Sequence, residues 1–187
     1  MQRDLDSILA YHCAPALLGR KPANLVTLNR AEFPDLEERV EDYTQMFAAN
    51  QISFRLLCRC DCNCLLLVYR GALLEQQIFS PLALQILRQE GYGGDDDLEK
   101  MLDRLGWRLE KSQEFPHEIG LFLGYPPEDV RGFQIHRGQD CKFCGYWKVY
   151  SDVERAKALF RVYDRCREYL CTRLAGGLSL REACPVA

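Results

Sequence analysis

The sequence predicts an α+β fold in which helices pack on a mixed β-sheet. Apolar and polar residues alternate from Ile52 to Cys60, and the apolar run Leu65 to Tyr69 follows, so residues 52–70 are predicted to form a β-hairpin. Segments with helical spacing lie on both sides of this hairpin, as is typical of an α+β protein. A doubly wound α/β fold is the alternative. The length of 187 residues, with no repeat or linker, favours a single domain over residues 1–187.

The N-terminal third is predicted to contain two helices and a strand. Leu5 to His12 forms a short helix that Pro15 should close, and Ala23 to Asn29 suits a strand. A second helix follows from apolar residues at helical spacing, namely Phe33, Leu36, Val40, Tyr43 and Phe47.

Two helices are predicted in the middle of the chain. Ser80 and Pro81 are a good helix start, and Gly91 should end that helix. Leu98 to Leu105 marks the next helix, which is expected to end near Gly106. The glycines between the two helices precede three aspartates that would repel phosphate, so this stretch is interpreted as a loop and helix cap.

The C-terminal third is predicted to hold two strands and the longest helix. The strands are Ile119 to Leu123 and Gly145 to Tyr150, with a short helical turn after Pro126 and Pro127. Ser151 should cap the long helix, with Glu154 completing a capping box. The predicted apolar stripe of this helix is Val153, Ala156, Phe160, Tyr163, Cys166 and Leu170.

The composition argues against several classes of protein. The net charge of −3 provides no basic footprint for nucleic acid, and there is no polybasic run for a membrane surface. The longest apolar runs are too short to span a bilayer, and the N-terminus lacks an apolar leader. We therefore expect a cytoplasmic protein, in which the ten cysteines are thiols, ligands or core residues rather than disulfides.

Four cysteines alternate in the hairpin, in the stretch L-C-R-C-D-C-N-C-L. If Asp61 to Asn63 form a three-residue loop, Cys60 and Cys64 become cross-strand neighbours with Cβ atoms about 5 Å apart. They could then share a soft metal or close a disulfide, with Cys62 exposed at the tip. The alternative is that Cys58, and its neighbours on the same face, are small apolar core residues.

A second cysteine pair, Cys141 and Cys144, lies in a polar C-x-x-C loop. Such a pair supplies half of a tetrahedral zinc or iron–sulfur site, and the other half could come from the hairpin cysteines Cys60, Cys62 and Cys64. The leading hypothesis is a protein of thiol-based metal or iron–sulfur handling, or a redox accessory. An incidental pair is the alternative.

His117 and Glu118 are candidates for an acid and a base. They are predicted to open a strand, where they could face a cleft bounded by the Gly124 to Pro127 turn and the strand from Gly145 to Tyr150. This predicts a small-molecule enzyme or cofactor-binding domain as the second hypothesis. A polar strand start whose histidine bonds to backbone is the alternative interpretation, and a non-catalytic interaction module is the third hypothesis.

Three segments together carry a family resemblance. They are H-C-A-P-A-L-L-G-R-K-P-A-N-L, F-P-H-E-I-G-L-F-L-G-Y-P-P-E-D-V and C-G-Y-W-K-V-Y. The chain resembles the bacterial family catalogued as domain of unknown function 3793. The resemblance implies a single-domain cytosolic bacterial protein, typical of anaerobes, and it implies no particular chemistry or site residues. Cys13 and Cys144 lie inside the motifs, whereas the hairpin cysteines lie outside them.

Overall fold

The computed structural model describes residues 4–59, 62–111 and 115–184. These ranges contain nine α-helices and five β-strands. The helices are α1 (Leu5–Leu17), α2 (Leu36–Met46), α3 (Gly71–Ile78), α4 (Pro81–Gln89), α5 (Leu98–Lys111), α6 (Ile119–Phe122), α7 (Pro127–His136), α8 (Val153–Ala175) and α9 (Leu180–Ala183). The strands are β1 (Ala23–Asn29), β2 (Ser53–Arg59), β3 (Asn63–Tyr69), β4 (Phe143–Cys144) and β5 (Lys148–Val149).

The main sheet has three antiparallel strands in the order β1-β3-β2, and β4 pairs with β5 in a separate two-stranded ribbon. The α+β prediction is confirmed. The sheet was predicted to be mixed, but both sheets are antiparallel. In the main sheet, β3 pairs with its hairpin partner β2 on one side and with β1 on the other. The doubly wound alternative is wrong, since that fold requires parallel strands joined by helical crossovers.

Apolar residues on β3 face two different cores. Leu66 and Val68 pack in one core with helices α1, α2, α8 and α9, whereas Leu67 and Tyr69 pack in the other with α3, α4, α5 and α6. Successive side chains of a strand point to opposite faces of its sheet. The continuous apolar run of β3 therefore reflects a strand that is covered by helices on both sides.

Helix α1 continues past Pro15, which was predicted to close it. A proline cannot donate to the carbonyl four residues earlier, which here belongs to Tyr11. Arg167 of α8 donates its Nε–H to that carbonyl at 3.2 Å. At the end of the helix, Arg70 donates to the carbonyls of Ala16 and Leu17 at 2.9 and 2.7 Å. Contacts from distant residues therefore compensate for the proline and cap the helix.

The predicted strand over Ile119 to Leu123 is wrong, because these residues form helix α6 and its C-terminal cap. The run is apolar and buried on all sides, so it carries no periodicity that separates a strand from a short helix. The helix ends in a Schellman motif: the N–H of Tyr125 donates to the carbonyl of Gly120, and that of Gly124 to Leu121. Gly124 has the positive φ of 73° that this motif requires.

Three other boundaries also differ from the prediction. Helix α5 continues through Gly106 to Lys111. The predicted strand from Gly145 to Tyr150 contains only the two residues of β5. Asp152, not Ser151, caps α8, since its carboxylate accepts the N–H of Arg155 at 3.0 Å. The apolar stripe of α8 is confirmed, and its buried members are Ala156, Phe160, Tyr163, Cys166 and Leu170.

Candidate small-molecule cleft

Two adjoining cavities form a cleft between helices α4, α5, α6 and α7 and strand β5. One cavity, of about 310 Å³, has mainly apolar walls, and the other, of about 530 Å³, has mainly polar walls. Phe115 and His117 line both cavities, so the two halves adjoin along these residues. Ligand sites commonly combine an apolar cavity with a few polar groups, and volumes of about 300 to 1,000 Å³ are usual for them.

Aromatic residues from three segments build the apolar cavity. Tyr125, directly after the Gly124 turn, stacks on Trp147 with ring centroids 4.9 Å apart and an interplanar angle of 25°. Phe133 of α7 provides a further aromatic wall. The aliphatic walls come from α6 and its cap and from α7, namely Ile119, Leu123 and Val130.

Asp129 holds this arrangement together from inside the protein. Its carboxylate accepts three hydrogen bonds: from Nε1 of Trp147 at 2.7 Å, and from the backbone N–H groups of Tyr150 and Ser151 at 2.8 and 2.7 Å. The residue is 2% exposed. A buried carboxylate is tolerated when several donors satisfy it. Asp129 thereby fixes Trp147 and the segment after β5 against helix α7.

A buried ion-pair network forms the back of the polar cavity. Nε of Arg108 lies 2.5 Å from a carboxylate oxygen of Glu118, which is 1% exposed, and Tyr92 donates its hydroxyl to the same oxygen at 3.2 Å. Arg108 also pairs with Glu90 at 2.9 Å, and Gln134 donates to the second oxygen of Glu90 at 3.0 Å. The network joins α5, α6 and α7 behind the cleft.

The ionisation of this network follows from its surroundings. Burial, together with the adjacent Glu118 carboxylate, raises the pKa of Tyr92, which therefore stays a neutral donor. For Arg108, burial lowers the pKa, but the charge and hydrogen bonding of Glu118 outweigh it and raise the pKa overall. Arg108 therefore stays charged beside Glu118.

The two predicted acid–base candidates have different surroundings. His117 is exposed at the junction of the cavities, and its ring lies 4.9 Å from that of Phe133. Glu118 points into the buried network, where Arg108 and Tyr92 hold its carboxylate. Within the described residues, no hydrogen bond joins His117 to Glu118. His117 is therefore the accessible member of the pair, whereas Glu118 is buried and held by Arg108 and Tyr92.

Two further cationic side chains line the cleft. Lys148, at the edge of the apolar cavity, donates its Nζ–H to the carbonyl of Gly138 at 2.5 Å. Arg131 lines the polar cavity and is exposed. From its alternation with Trp147 and Val149, Lys148 could be expected to reach either a cleft or solvent, whereas Arg131 was not predicted, because a lone surface cation carries no signal until its neighbours are known.

The predicted metal ligands lie in different surroundings. Cys64 is fully buried, in the core that contains α1. In the sheet it pairs with Leu28 of β1 and with Arg59 of β2. Arg59 therefore occupies the cross-strand position that was predicted for Cys60. Cys62 is exposed. Cys60 lies outside the described residues.

The C-x-x-C pair lies on the small ribbon. Cys144 is exposed in β4, and Cys141 is partly exposed just before it. Both lie near Tyr150, whose pKa is raised by burial and then by the neighbouring acidic groups. Across the ranges 4–59, 62–111 and 115–184, no three His, Cys, Asp or Glu side chains are grouped so as to hold a metal ion.

Several residues of the cleft were not predicted. Asp129 stands within the segment P-P-E-D-V, but a single acid at the start of a helix gives no sign that it will be buried. Arg108 looks like any exposed cation of an amphipathic helix. Tyr92 lies in the loop predicted between α4 and α5, and that loop is confirmed: Asp97 accepts the N–H of Lys100 at 2.9 Å at the start of α5.

The fold and the cleft define an α+β protein with an antiparallel three-stranded sheet, helices on both faces and a small-molecule-sized cavity beside them. The chain belongs to the family described as "Protein of unknown function (DUF3793)", whose model matches residues 9–184. This confirms the resemblance carried by the three sequence motifs. No curated protein and no solved structure matches the chain. Among the described helices, none is long and apolar enough to cross a membrane.

Proposed function

We propose that the protein binds a small organic molecule in the cleft between the α6–α7 segment and strand β5. The observation that carries this proposal is the junction of an apolar aromatic cavity with a polar cavity at His117. The cleft joins the three segments predicted to border a site: His117 with Glu118, the turn at Tyr125, and the stretch containing Trp147. A ligand with an apolar body and a polar end would match both halves.

The surroundings of the cleft support a preformed site. Trp147 is held by Asp129, and the polar wall is held by the pair of Arg108 and Glu118. Side chains that are locked by hydrogen bonds lose little conformational entropy when a ligand binds. Of the two described residues that line both cavities, Phe115 and His117, only His117 can exchange a proton with a bound substrate.

Fluorescence of Trp147 provides a direct test of binding. Trp107→Phe removes the second tryptophan, which is exposed and outside the two cavities. Phenylpropionate and phenylpropionamide serve as probes, because each has a phenyl body and a polar end. We expect a saturable change in Trp147 emission for at least one probe, with a Kd of roughly millimolar order for molecules of this size.

Two variants show whether the probes enter the cleft. Phe133→Ala removes a wall of the apolar cavity and should weaken binding about fivefold or more, whereas Phe79→Ala, an exposed phenylalanine outside the cleft, should leave it unchanged. No saturable change with either probe up to about 10 mM would contradict the proposal.

The second candidate function is binding of a soft metal, zinc or an iron–sulfur cluster, through Cys141 and Cys144. It is favoured by two accessible thiols on one tight ribbon. Additional ligands would have to come from elsewhere, with Cys60 and Cys62 as the candidates. Elemental analysis of anaerobically purified protein tests it: about one equivalent of metal, lost in Cys141→Ser, is expected, and less than about a tenth of an equivalent would end the hypothesis.

A further inference from the structure

The acidic side chains of the cleft are all engaged by protein donors. Glu118 is held by Arg108 and Tyr92, and Glu90 by Arg108 and Gln134. Asp129 accepts three hydrogen bonds from Trp147 and two backbone N–H groups. Within the part of the chain that the structure describes, no carboxylate that lines the cleft is left to bind a cationic ligand.

The cationic side chains of the cleft differ from one another in whether a carboxylate pairs with them. Arg108 is neutralised by its two carboxylates. Lys148 donates to a backbone carbonyl, and its Nζ lies 5.9 Å from the centroid of the Phe133 ring. Among the described residues, no carboxylate forms an ion pair with it. Arg131 makes no ion pair with any described carboxylate. Three cations and three carboxylates line the cleft, so its formal charges balance, but the carboxylates are held by protein donors whereas the guanidinium of Arg131 is exposed in the polar cavity.

One of these cations lines the polar cavity and the other borders the apolar cavity. Arg131 lies on α7, two positions before Phe133, and lines the polar cavity, while Phe133 lines the apolar one. Lys148 follows Trp147 directly and borders the apolar cavity. An anionic group in the polar cavity, next to His117, would be on the Arg131 side of the cleft while the body of the same molecule contacts Phe133 and Trp147. An arginine guanidinium suits a planar carboxylate because it can donate two parallel N–H groups.

We propose that the ligand of this cleft is an organic acid with an aromatic or apolar body, and that Arg131 recognises its carboxylate. This inference rests on the proposed function of the cleft and specifies its ligand class. Charge selection is the property that separates it from simple apolar binding. A neutral amide of the same shape can fill the apolar cavity but cannot form the charge-assisted hydrogen bonds.

The experiment compares phenylpropionate with phenylpropionamide in the Trp107→Phe protein at low ionic strength. The acid should bind about fivefold more tightly than the amide, and the difference should shrink as salt is added. Arg131→Gln should reduce the preference to less than about twofold without weakening the amide, and Arg131→Lys should restore part of it. Phenylpropylamine, which carries the opposite charge, should bind more weakly than the amide.

Arg161→Gln is the matched control. Arg161 is an exposed arginine of α8 that lines a separate groove with Lys157, Arg167 and aromatic residues of the β4 ribbon. It should not alter the preference for the acid.

Three outcomes would overturn the inference. If acid and amide bind equally, the cleft binds apolar molecules but does not select anions, and the proposed function survives alone. If Arg161→Gln removes the preference and Arg131→Gln does not, the acid binds on the α8 groove instead. If neither probe binds, the proposed function fails, and the ligand class fails with it.

Discussion

Lys21 places a primary amine inside the protein, and no carboxylate of the described residues forms an ion pair with it. The residue is 4% exposed, and its Nζ lies 5.4 Å from the ring centroid of Tyr125 and 5.6 Å from that of Tyr163. Burial lowers its pKa from 10.5 to about 8, and the neighbouring Cys13 opposes that change. The aromatic faces attract the charged amine, but they do not replace the water that it loses.

Replacing Lys21 by methionine should therefore stabilise the protein at pH 7. The unfolded chain binds this proton up to a pH near 10.5, whereas the folded protein releases it near pH 8. Burying the charged amine thus costs about 3 kcal/mol below pH 8, and the cost falls as pH rises from 8 to 10.5. Allowing for lost contacts with the rings, we expect Lys21→Met to raise the free energy of unfolding by about 1–3 kcal/mol at pH 7.

Denaturant unfolding of both proteins at pH 7 and pH 10 measures this effect, and the difference between them should shrink at the higher pH. The comparison isolates Lys21, because burial raises the pKa of Cys13 to about 12 and its thiol therefore stays protonated in both folded proteins at pH 10. Ionisation of the same thiol in the unfolded chains lowers the stability of both proteins equally at that pH. Lys100→Met, at an exposed position of α5, is the control and should change stability by less than about 0.5 kcal/mol. A stability difference for Lys21→Met that does not change with pH would contradict the explanation.

At the scale of secondary-structure elements, Gly106 lets helix α5 approach strand β2 closely. A Cβ at this position would lie 2.8 Å from the carbonyl oxygen of Leu57, at the irregularity in β2 between Leu56 and Cys58. A backbone carbonyl in a sheet cannot move aside as a flexible side chain can. The close packing of helix and sheet thus explains a glycine in the middle of a helix, where its intrinsic propensity is poor.

Gly106→Ala should destabilise the protein by about 1–3 kcal/mol, because the clash outweighs the gain of about 1 kcal/mol in helix propensity. Thermal unfolding followed by circular dichroism checks this. Gly71→Ala at the start of α3 is the matched substitution, since its added Cβ would lie 4.0 Å from the nearest atom, a methyl carbon of Leu98. Gly71→Ala should be neutral or stabilising. Equal stability of the Gly106 variant and the parent protein would show that α5 can shift away from β2.

At the scale of the whole molecule, one sheet separates two apolar cores. Leu28 of β1 packs in the core with α1 and α8, and Leu67 of β3 packs in the core with α3 to α6. Both side chains are almost fully buried. Since strand β3 belongs to both cores, losing either core exposes the same strand, and we predict that residues 1–187 unfold as a single domain.

Leu28→Ala and Leu67→Ala test this prediction, because each makes a cavity in a different core. Each should cost about 2–5 kcal/mol and should shift one common transition to lower temperature. Differential scanning calorimetry can resolve whether one or two transitions occur. Met46→Ala, at a side chain that is half exposed, should leave the transition nearly unchanged. Two transitions, of which each variant shifts only one, would mean that the two cores are independent domains.

The elements that the sequence predicts best are those whose signal lies within the element. Strand β1 has the predicted bounds, and the stripe of α8 matches its buried face. Helix α6 was predicted as a strand, since this short buried segment lacks a solvent-facing side that would create a period. Helix α3, whose eight residues include an exposed face, was not predicted. Pro15 lies inside α1 because Arg167, distant in sequence, takes the place of the missing donor.

The candidate site likewise contains some features that the sequence predicted and others that only the structure revealed. His117, the turn at Tyr125 and the segment around Trp147 were predicted to border a common cleft, and they line one cavity. Glu118 was predicted as a reactive group, but its partner Arg108 could not be identified from sequence, so its buried ion pair was not foreseen. The metal hypothesis for Cys141 and Cys144 stays a prediction.

By itself, the sequence determined the α+β class, the family, the hairpin and the long helix, because these depend on local periodicity and on motifs that can be recognised without coordinates. Only the tertiary structure decided which polar groups are satisfied by partners within the protein. Glu90 meets Gln134, and Trp147 meets Asp129, through packing of elements that are separated along the chain. Charge pairing and burial are properties of such assembled neighbours, so the contrast between the engaged carboxylates of the cleft and the exposed guanidinium of Arg131 emerges only after the chain has folded.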